Sequence, residues 1–144
     1  MTYYLDSNII IYIVERIPLW HARAEAHLAR LGAGEHDFAI SALTWSECLV
    51  VPLRAGNEFL LGQFLQFFHE SRVRTIPLTH TIAMRAAGIR AAHSYATAGL
   101  QKVKRYGLAD ALHLAAAIEA NCDAFLTNDQ RLSGFLDLPI DVLN

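Results

Sequence analysis

Cysteine is scarce in this chain, and long apolar runs are missing. Cys48 and Cys122 stand alone among 144 residues, without CxxC or CxxH spacing. Isolated thiols of this kind exclude a disulfide scaffold and a structural zinc site, and they are typical of a reducing compartment. No apolar run approaches the ~20 residues that a membrane span needs, and the N-terminus lacks the basic segment of a signal peptide. We therefore expect a soluble, cytoplasmic protein.

An excess of positive charge is missing as well. The 12 Lys and Arg residues stand against 14 Asp and Glu residues, which gives a formal net charge of -2. Any binding of nucleic acid must therefore rest on local geometry rather than on an overall positive field. Apolar residues make up 53% and charged residues 18%, which fits a well-buried domain or one partly covered by another chain. At this length, residues 1–144 are predicted to form a single domain.

Segments with strand character alternate with helical patterns along the chain. This alternation predicts an α/β fold, a three-layer sandwich whose central, mainly parallel sheet of four or five strands is covered by helices on both faces. Ligands of such sheets bind outside the carboxyl ends of the strands. Thr44 and Glu47 have the spacing of a capping box at a helix start. The predicted strands are 3–5, 37–41, 73–78, 124–129 with its turn, and 138–143, and helices are predicted after the capping triplet 6–8, from Pro18, from Thr44, at 58–69, from about Thr81 and from 108.

Four carboxylates stand where such a sheet gathers its ligands. Asp6 ends the first strand and Asp129 follows a later one, whereas Glu47 and Asp110 lie in the first turns of two helices. Taken singly, Glu47 and Asp110 are equally well explained as first-turn acids that the helix dipole stabilises. The joint placement of all four favours a shared site.

Carboxylates crowded into one cleft repel each other, and their pKa values rise unless a cation neutralises them. A divalent metal ion is the simplest such cation. Because the candidate ligands are oxygen atoms without clustered His or Cys, they favour Mg²⁺ or Mn²⁺ over zinc. These ions retain water molecules, which leaves room for a substrate phosphate.

Four motifs resemble those of the PIN-domain nucleases, and in size and spacing the chain is similar to the VapC-like toxins of prokaryotic toxin-antitoxin systems. The motifs follow the family's order over nearly the whole chain. The resemblance implies a PIN-like fold, and it places Asp6, Glu47, Asp110 and Asp129 at the family's metal-binding and catalytic positions. The motifs are YLDSNIII at 4–11, ISALTWSECLVVPLRAG at 40–56, GLADALHLAAA at 107–117 and FLTNDQRL at 125–132.

The same resemblance indicates supporting residues. Ser7 and Thr127 stand where the family has hydroxyl side chains that bind a carboxylate or a metal-bound water, and Asn128 lies beside Thr127. Turn and cap chemistry explains these three residues equally well. His113, one helical turn after Asp110, is either a hydrogen-bond donor to the site or a partly buried, satisfied histidine.

The activity implied by the resemblance is Mg²⁺- or Mn²⁺-dependent hydrolysis of RNA phosphodiester bonds by the toxin of a toxin-antitoxin pair. The family also implies a homodimer and a cognate antitoxin. Trp20, Phe67 and Phe68 are candidates for the contact surface or for the core. Because an acidic cleft repels RNA, basic residues must hold its phosphates, unless they form only a solvated loop. The candidates for RNA binding are Lys102, Lys104, Arg105 and Arg131, with Tyr106 for base stacking.

Two other functions remain open from the sequence. A PIN-like module that binds RNA or protein without cleaving it would be favoured by the loss of an acid, but all four acids are present. A haloacid-dehalogenase-like phosphatase would use Asp6 as its phosphorylated nucleophile. That family needs a second Asp two residues later, where this chain has Asn8.

Overall fold

The computed structural model describes residues 1–93 and 106–144. Within these residues, five strands form one sheet in the order β3-β2-β1-β4-β5, and every neighbouring pair is parallel. The prediction of a mainly parallel sheet of four or five strands is confirmed. The strands are β1 (Thr2–Leu5), β2 (Asp37–Ser41), β3 (Arg74–Ile76), β4 (Ala124–Thr127) and β5 (Ile140–Val142).

Helices connect the strands, and their starts follow from local sequence. Asp6 is the N-cap of the first helix and Asn57 is the N-cap of the fourth, and each accepts a backbone N–H through its side chain. None of the helices within the described residues has the length and apolar character needed to cross a membrane. The helices are α1 (Ser7–Val14), α2 (Trp20–Ala33), α3 (Ala42–Ala55), α4 (Glu58–Glu70), α5 (His80–His93) and α6 (Leu108–Glu119), with a 3-10 helix at Gln130–Gly134.

Two apolar cores lie on opposite faces of the sheet, because successive side chains of a strand point to opposite sides. In β1, Tyr4 packs into the core that α5 and α6 cover. Its neighbour Leu5 packs into the core formed with α1, α2, α3 and α4. Both side chains are almost completely buried. The predicted three-layer sandwich is therefore confirmed.

The predicted capping box at Thr44 and Glu47 is wrong. Helix α3 begins two residues earlier, at Ala42, and Ser41 takes the extended N-cap position. The reason is that β2 runs directly into α3 without a loop, so Thr44 lies inside the helix and is fully buried. Glu47 consequently lies in the second turn of α3, still close to the carboxyl end of β2.

The strand order determines where a ligand can bind. From β1 the chain winds towards β2 and β3 on one side, and β4 and β5 lie on the other side. Ligands of parallel α/β sheets bind at such a reversal, outside the carboxyl ends of the strands. Leu5 of β1 pairs with Leu126 of β4 across this boundary. Asp6 follows Leu5 and Thr127 follows Leu126, so these two residues meet at the carboxyl ends of β1 and β4.

Candidate active site

Asp6 lies where β1 passes into α1. Its backbone N–H donates to the Leu126 carbonyl at 2.9 Å, and its Oδ1 accepts the Ser7 N–H at 2.8 Å. Its other oxygen, Oδ2, accepts the Thr127 hydroxyl at 2.6 Å. Burial raises the pKa of the Asp6 carboxyl, although the charge of His113 and these hydrogen bonds oppose the shift. The ionised carboxylate would therefore be stabilised by a further cation.

Glu47 lies next to Asp6 and is bound by two side chains. The Ser7 hydroxyl donates to Glu47 Oε1 at 2.9 Å, and Nε2 of His113 forms a hydrogen bond with the same oxygen. Burial acts to raise the pKa of the Glu47 carboxyl, but the hydrogen bond and charge of His113, with the Ser7 hydroxyl, lower it overall. His113 is thus a buried, satisfied histidine and also a donor to a candidate metal ligand.

Two buried residues that the sequence analysis missed hold His113 in place. Nδ1 of His113 lies 2.6 Å from the Tyr4 hydroxyl, and this hydroxyl donates to Ser41 Oγ at 2.9 Å. Burial raises the pKa of Tyr4, so its hydroxyl stays protonated. A tyrosine in a buried strand needs a polar partner for its hydroxyl. That requirement is the signal that could have identified Tyr4 from the sequence.

Asp110 and Asp129 form a second pair of acids, which share one guanidinium group. Nε of Arg131 donates to both carboxylate oxygens of Asp129, at 3.1 and 2.9 Å. Nη2 of Arg131 lies 2.5 Å from Asp129 Oδ2 and 3.6 Å from Asp110 Oδ2. Hydrogen bonding and charge of Asp129, with smaller contributions from Asp110 and Asp6, raise the pKa of Arg131. A positive charge is therefore already stabilised between these two acids.

Thr127 connects the two pairs of acids. It donates its hydroxyl to Asp6, and the same oxygen accepts the Asp129 N–H at 3.0 Å. Asp110 is held separately, because its Oδ2 accepts the Gly107 N–H at 3.2 Å in the first turn of α6. The four acids thus occupy one edge of the sheet as two pairs. Ser7 links Asp6 with Glu47, and Arg131 links Asp110 with Asp129.

Replacing Thr127 with valine would keep the side-chain volume and remove only the hydroxyl. We expect the free energy of unfolding to fall by about 1–3 kcal/mol, because the Asp6 carboxylate and the Asp129 N–H both lose a buried partner. Urea denaturation measures this difference. Thr127→Ser keeps the hydroxyl and should lose only about 1 kcal/mol with the methyl group. A serine variant less stable than the valine variant would show that packing, rather than the hydroxyl, matters here.

The donor chemistry of the site fits a hard divalent cation, although its ligands are not fully assembled. Within residues 1–93 and 106–144, no three or more His, Cys, Asp or Glu side chains are grouped closely enough to hold a metal ion. The acids are all carboxylates, the ligands that Mg²⁺ and Mn²⁺ prefer. One pair already surrounds a guanidinium charge, which a metal ion could replace. The pairs are Asp6 with Glu47 and Asp110 with Asp129.

The predicted RNA-binding residues have different outcomes. Lys102, Lys104 and Arg105 lie outside the described residues. Tyr106 is only 6% exposed, and its ring packs against Phe135 with centroids 6.0 Å apart. Because stacking with a base needs an accessible ring face, the prediction that Tyr106 stacks on RNA is wrong. The apolar core beside α5 and α6 takes up this ring instead.

Comparison with known proteins agrees with this architecture. The protein is a parallel α/β sandwich with acids at the strand ends. Residues 3–135 match the family model of the PIN domain. The chain therefore belongs to the PIN-domain family, which removes the phosphatase alternative. The sequence itself matches no curated protein.

Three solved structures of toxin-antitoxin proteins share the fold. VapBC2 from Rickettsia felis, bound to a DNA fragment from its promoter, has 22% sequence identity and a TM-score of 0.77 over 100% of both chains. VapBC-1 from nontypeable Haemophilus influenzae has 20% identity and a TM-score of 0.67, covering 99% of this chain and 98% of the other. VapC20 from Mycobacterium tuberculosis, a toxin that cleaves the sarcin-ricin loop, has 15% identity and a TM-score of 0.67 over 95% and 98%.

Proposed function

We propose that the protein is a Mg²⁺- or Mn²⁺-dependent endoribonuclease. The observation that carries this proposal is the position of four carboxylates at the reversal point of a parallel sheet, where Ser7, Thr127 and Arg131 connect them. PIN domains are generally nucleases, and one structural relative is described as a toxin that cleaves the sarcin-ricin loop. The proposed metal ligands and catalytic residues are Asp6, Glu47, Asp110 and Asp129.

The surrounding residues would orient these ligands. Thr127 and the Ser7 N–H fix the two oxygens of Asp6, and His113 with the Ser7 hydroxyl fixes Oε1 of Glu47. Glu47 keeps its negative charge because these contacts lower its pKa. A bound divalent cation would activate water and neutralise charge on the phosphodiester.

Arg131 would compete with a metal ion for Asp110 and Asp129. We expect Arg131→Gln to bind Mn²⁺ about two- to fivefold more tightly than wild type, because an exposed ion pair contributes up to about 1 kcal/mol. Isothermal titration calorimetry of the partner-free protein measures the change. Arg54→Gln is the matched control, because it makes the same change of charge at a position about 18 Å along the axis of α3 from the start of that helix. Equal or weaker binding by Arg131→Gln would contradict the competition.

We further propose that the protein acts in the cytoplasm as the toxin of a toxin-antitoxin pair and forms a homodimer. The structural relatives that are toxin-antitoxin proteins support an antitoxin partner. Exposed apolar side chains also support a covered surface, since Phe59 is 76% exposed and Leu136 is 92% exposed. Of the aromatic candidates for this surface, Phe68 belongs to the core, whereas Trp20 and Phe67 are half-buried.

RNA cleavage by the purified, partner-free protein tests the proposed activity. We expect cleavage that appears on titration with Mg²⁺ or Mn²⁺, stops on chelation and leaves 5'-phosphate and 3'-hydroxyl ends. The alternative is a PIN-like module that binds RNA or protein without cleavage, and the incomplete assembly of the acids favours it. RNA that binds but stays intact at every metal concentration would support that alternative and contradict the nuclease.

A further inference from the structure

A row of polar and aromatic side chains leads away from the acids, and we call it the aromatic strip. It consists of Asn8, Asn128, Tyr12, Trp20 and Arg23. We propose that the aromatic strip binds the nucleotides that flank the scissile phosphate of a single-stranded RNA. The inference rests on the proposed ribonuclease function and adds a substrate-binding surface to it.

The strip begins directly beside the acids. Asn128 immediately precedes Asp129 in the sequence, and its Oδ1 accepts the side-chain amide of Asn8 at 3.2 Å. The amide of Asn128 in turn donates to the Tyr12 hydroxyl. Asn8 and Tyr12 are four residues apart in α1, so they share a face of the helix about 6 Å apart along its axis. This separation of Asn8 and Tyr12 suits two neighbouring nucleotides of an extended single-stranded RNA.

The outer part of the strip is aromatic and cationic. The rings of Tyr12 and Trp20 are stacked, with centroids 5.3 Å apart and planes 18° from parallel. The Arg23 guanidinium lies 5.3 Å from the centroid of the Trp20 ring. Both rings are partly exposed and Arg23 is exposed. Aromatic rings beside an arginine are a combination that single-stranded nucleic-acid sites use, because every base has a face that can stack.

The electrostatic environment connects the strip to the acids. Burial raises the pKa of the Tyr12 hydroxyl, the hydrogen bond from Asn128 opposes this shift, and the charge of Asp6 adds to it. Tyr12 therefore lies within the field of the candidate catalytic carboxylate.

RNA fits this surface better than an apolar protein helix does. The amides of Asn8 and Asn128 offer both donors and acceptors, which suit base edges and 2'-hydroxyl groups. An apolar helix would leave the remaining donors and acceptors of these amides unpaired, at a cost in free energy. The strip also supplies, in Arg23 at its outer end, a positive charge for a phosphate farther from the acids.

Fluorescence of Trp20 gives the most direct test. The sequence contains two tryptophans, so Trp45→Phe leaves Trp20 as the only one. Trp45 stacks on Phe68 with centroids 4.6 Å apart, and phenylalanine preserves that stacking. In an Asp6→Asn background, which prevents cleavage, titration with single-stranded RNA in Mg²⁺ should quench Trp20. The midpoint should match RNA binding measured by fluorescence anisotropy. Binding without any change in Trp20 emission would overturn the inference.

Kinetics provide a second test in the wild-type background. We expect Trp20→Ala to raise KM about tenfold and to change kcat less than about twofold, because the strip lies away from the reacting atoms. Trp20→Phe should keep most of the affinity for RNA. Neither change should alter KM for the shortest oligonucleotide that is still cleaved, because such an oligonucleotide does not reach Trp20. Met84→Ala removes an exposed apolar side chain on α5, on the opposite face of the sheet, and is the matched control.

A separate variant covers the case in which Trp20→Ala fails to fold. Arg23→Gln should weaken RNA binding and reduce its salt dependence by about one counterion. Unchanged KM in both the Trp20 and Arg23 variants would overturn the inference and leave the proposed nuclease activity intact. The same conclusion would hold if these variants kept their KM for RNA but bound a protein partner less well. Wild-type protein that neither binds nor cleaves RNA would overturn the proposed function, and the inference with it.

Discussion

Asp6→Asn is expected to abolish RNA cleavage while leaving the protein at least as stable as the wild type. Loss of this carboxylate removes a ligand and a charge at the proposed metal site, and we expect activity to fall by about 10³-fold. Stability should not fall, because burial makes the ionised carboxyl of Asp6 unfavourable in the folded protein and asparagine removes that charge. RNA cleavage assays and thermal unfolding measure the two effects.

The pH dependence of stability gives an independent check on Asp6. Its pKa in the folded protein lies above the ordinary value of 3.8, so between these two values the folded state binds more protons than the unfolded state. The contribution of Asp6 to stability therefore falls as the pH rises through this window. We expect this part of the pH profile to be absent in Asp6→Asn, as measured by urea denaturation at a series of pH values.

Asp37→Asn is the matched control for both experiments, because Asp37 is exposed at the amino end of β2. The candidate site lies at the opposite, carboxyl ends of the strands. It should change neither cleavage nor stability appreciably. An Asp6→Asn variant that still cleaves RNA at a rate near wild type would rule out Asp6 as a catalytic ligand. A large loss of stability in that variant would mean that the Thr127 and Ser7 hydrogen bonds outweigh the cost of burial.

His113→Ala is expected to reduce both stability and activity. The change leaves Glu47 Oε1 without the hydrogen bond from His113 and the buried Tyr4 hydroxyl without one of its hydrogen-bond partners. We expect the free energy of unfolding to fall by about 2–4 kcal/mol. Because Glu47 would lose the side chain that orients it, cleavage and Mn²⁺ affinity should fall about 10- to 100-fold. Urea denaturation, cleavage kinetics and calorimetry provide the measurements.

A double-mutant cycle separates the orientation of Glu47 from general destabilisation. The cycle combines His113→Ala with Glu47→Gln, and we expect a coupling free energy of at least about 1 kcal/mol. Glu47 has a lowered pKa, so its contribution to stability is present above its ordinary value of 4.5 and is lost as the pH falls through its folded value. The stability difference between wild type and His113→Ala should therefore narrow in acid.

A second histidine offers a matched control for this experiment. His27 also pairs with a carboxylate, since its Nε2 lies 2.7 Å from Asp141 Oδ2, but Asp141 is in β5 at the edge of the sheet. His27→Ala should cost stability without changing the metal dependence of cleavage. Equal effects of the two histidine variants on Mn²⁺ affinity would contradict a specific role of His113.

Local sequence predicted the fold well, because strand and helix signals alternate and the residues at the strand ends cap the helices. Asp6 shows this clearly, since the triplet 6–8 predicted the start of α1. The predictions failed where tertiary packing decides. Thr44 became buried because β2 continues directly into α3, and Tyr106 became buried because the core beside α5 and α6 accepts its ring. Neither event is encoded in local spacing.

The candidate site was predictable only in part, for a similar physical reason. The acids were found because each stands at the end of a strand or in the early turns of a helix. The hydrogen bonds between Tyr4 and Ser41 and between Tyr4 and His113 depend on how β1 pairs with β2 and on how α6 lies over the sheet. The sequence states neither. Arg131 was predicted as an RNA ligand, whereas the structure pairs it with Asp110 and Asp129. Its proposed role in RNA binding stays a prediction.

Anomalous diffraction from a crystal of the partner-free protein, grown or soaked with Mn²⁺, shows whether the four acids form one metal site. We expect a strong anomalous peak at the carboxyl ends of β1 and β4, within coordinating distance of oxygens from both pairs of acids. Arg131 should have moved away from Asp110 in that structure. A map without such a peak at saturating Mn²⁺, or with Mn²⁺ bound away from Asp6 and Asp129, would rule out a metal site formed by these acids.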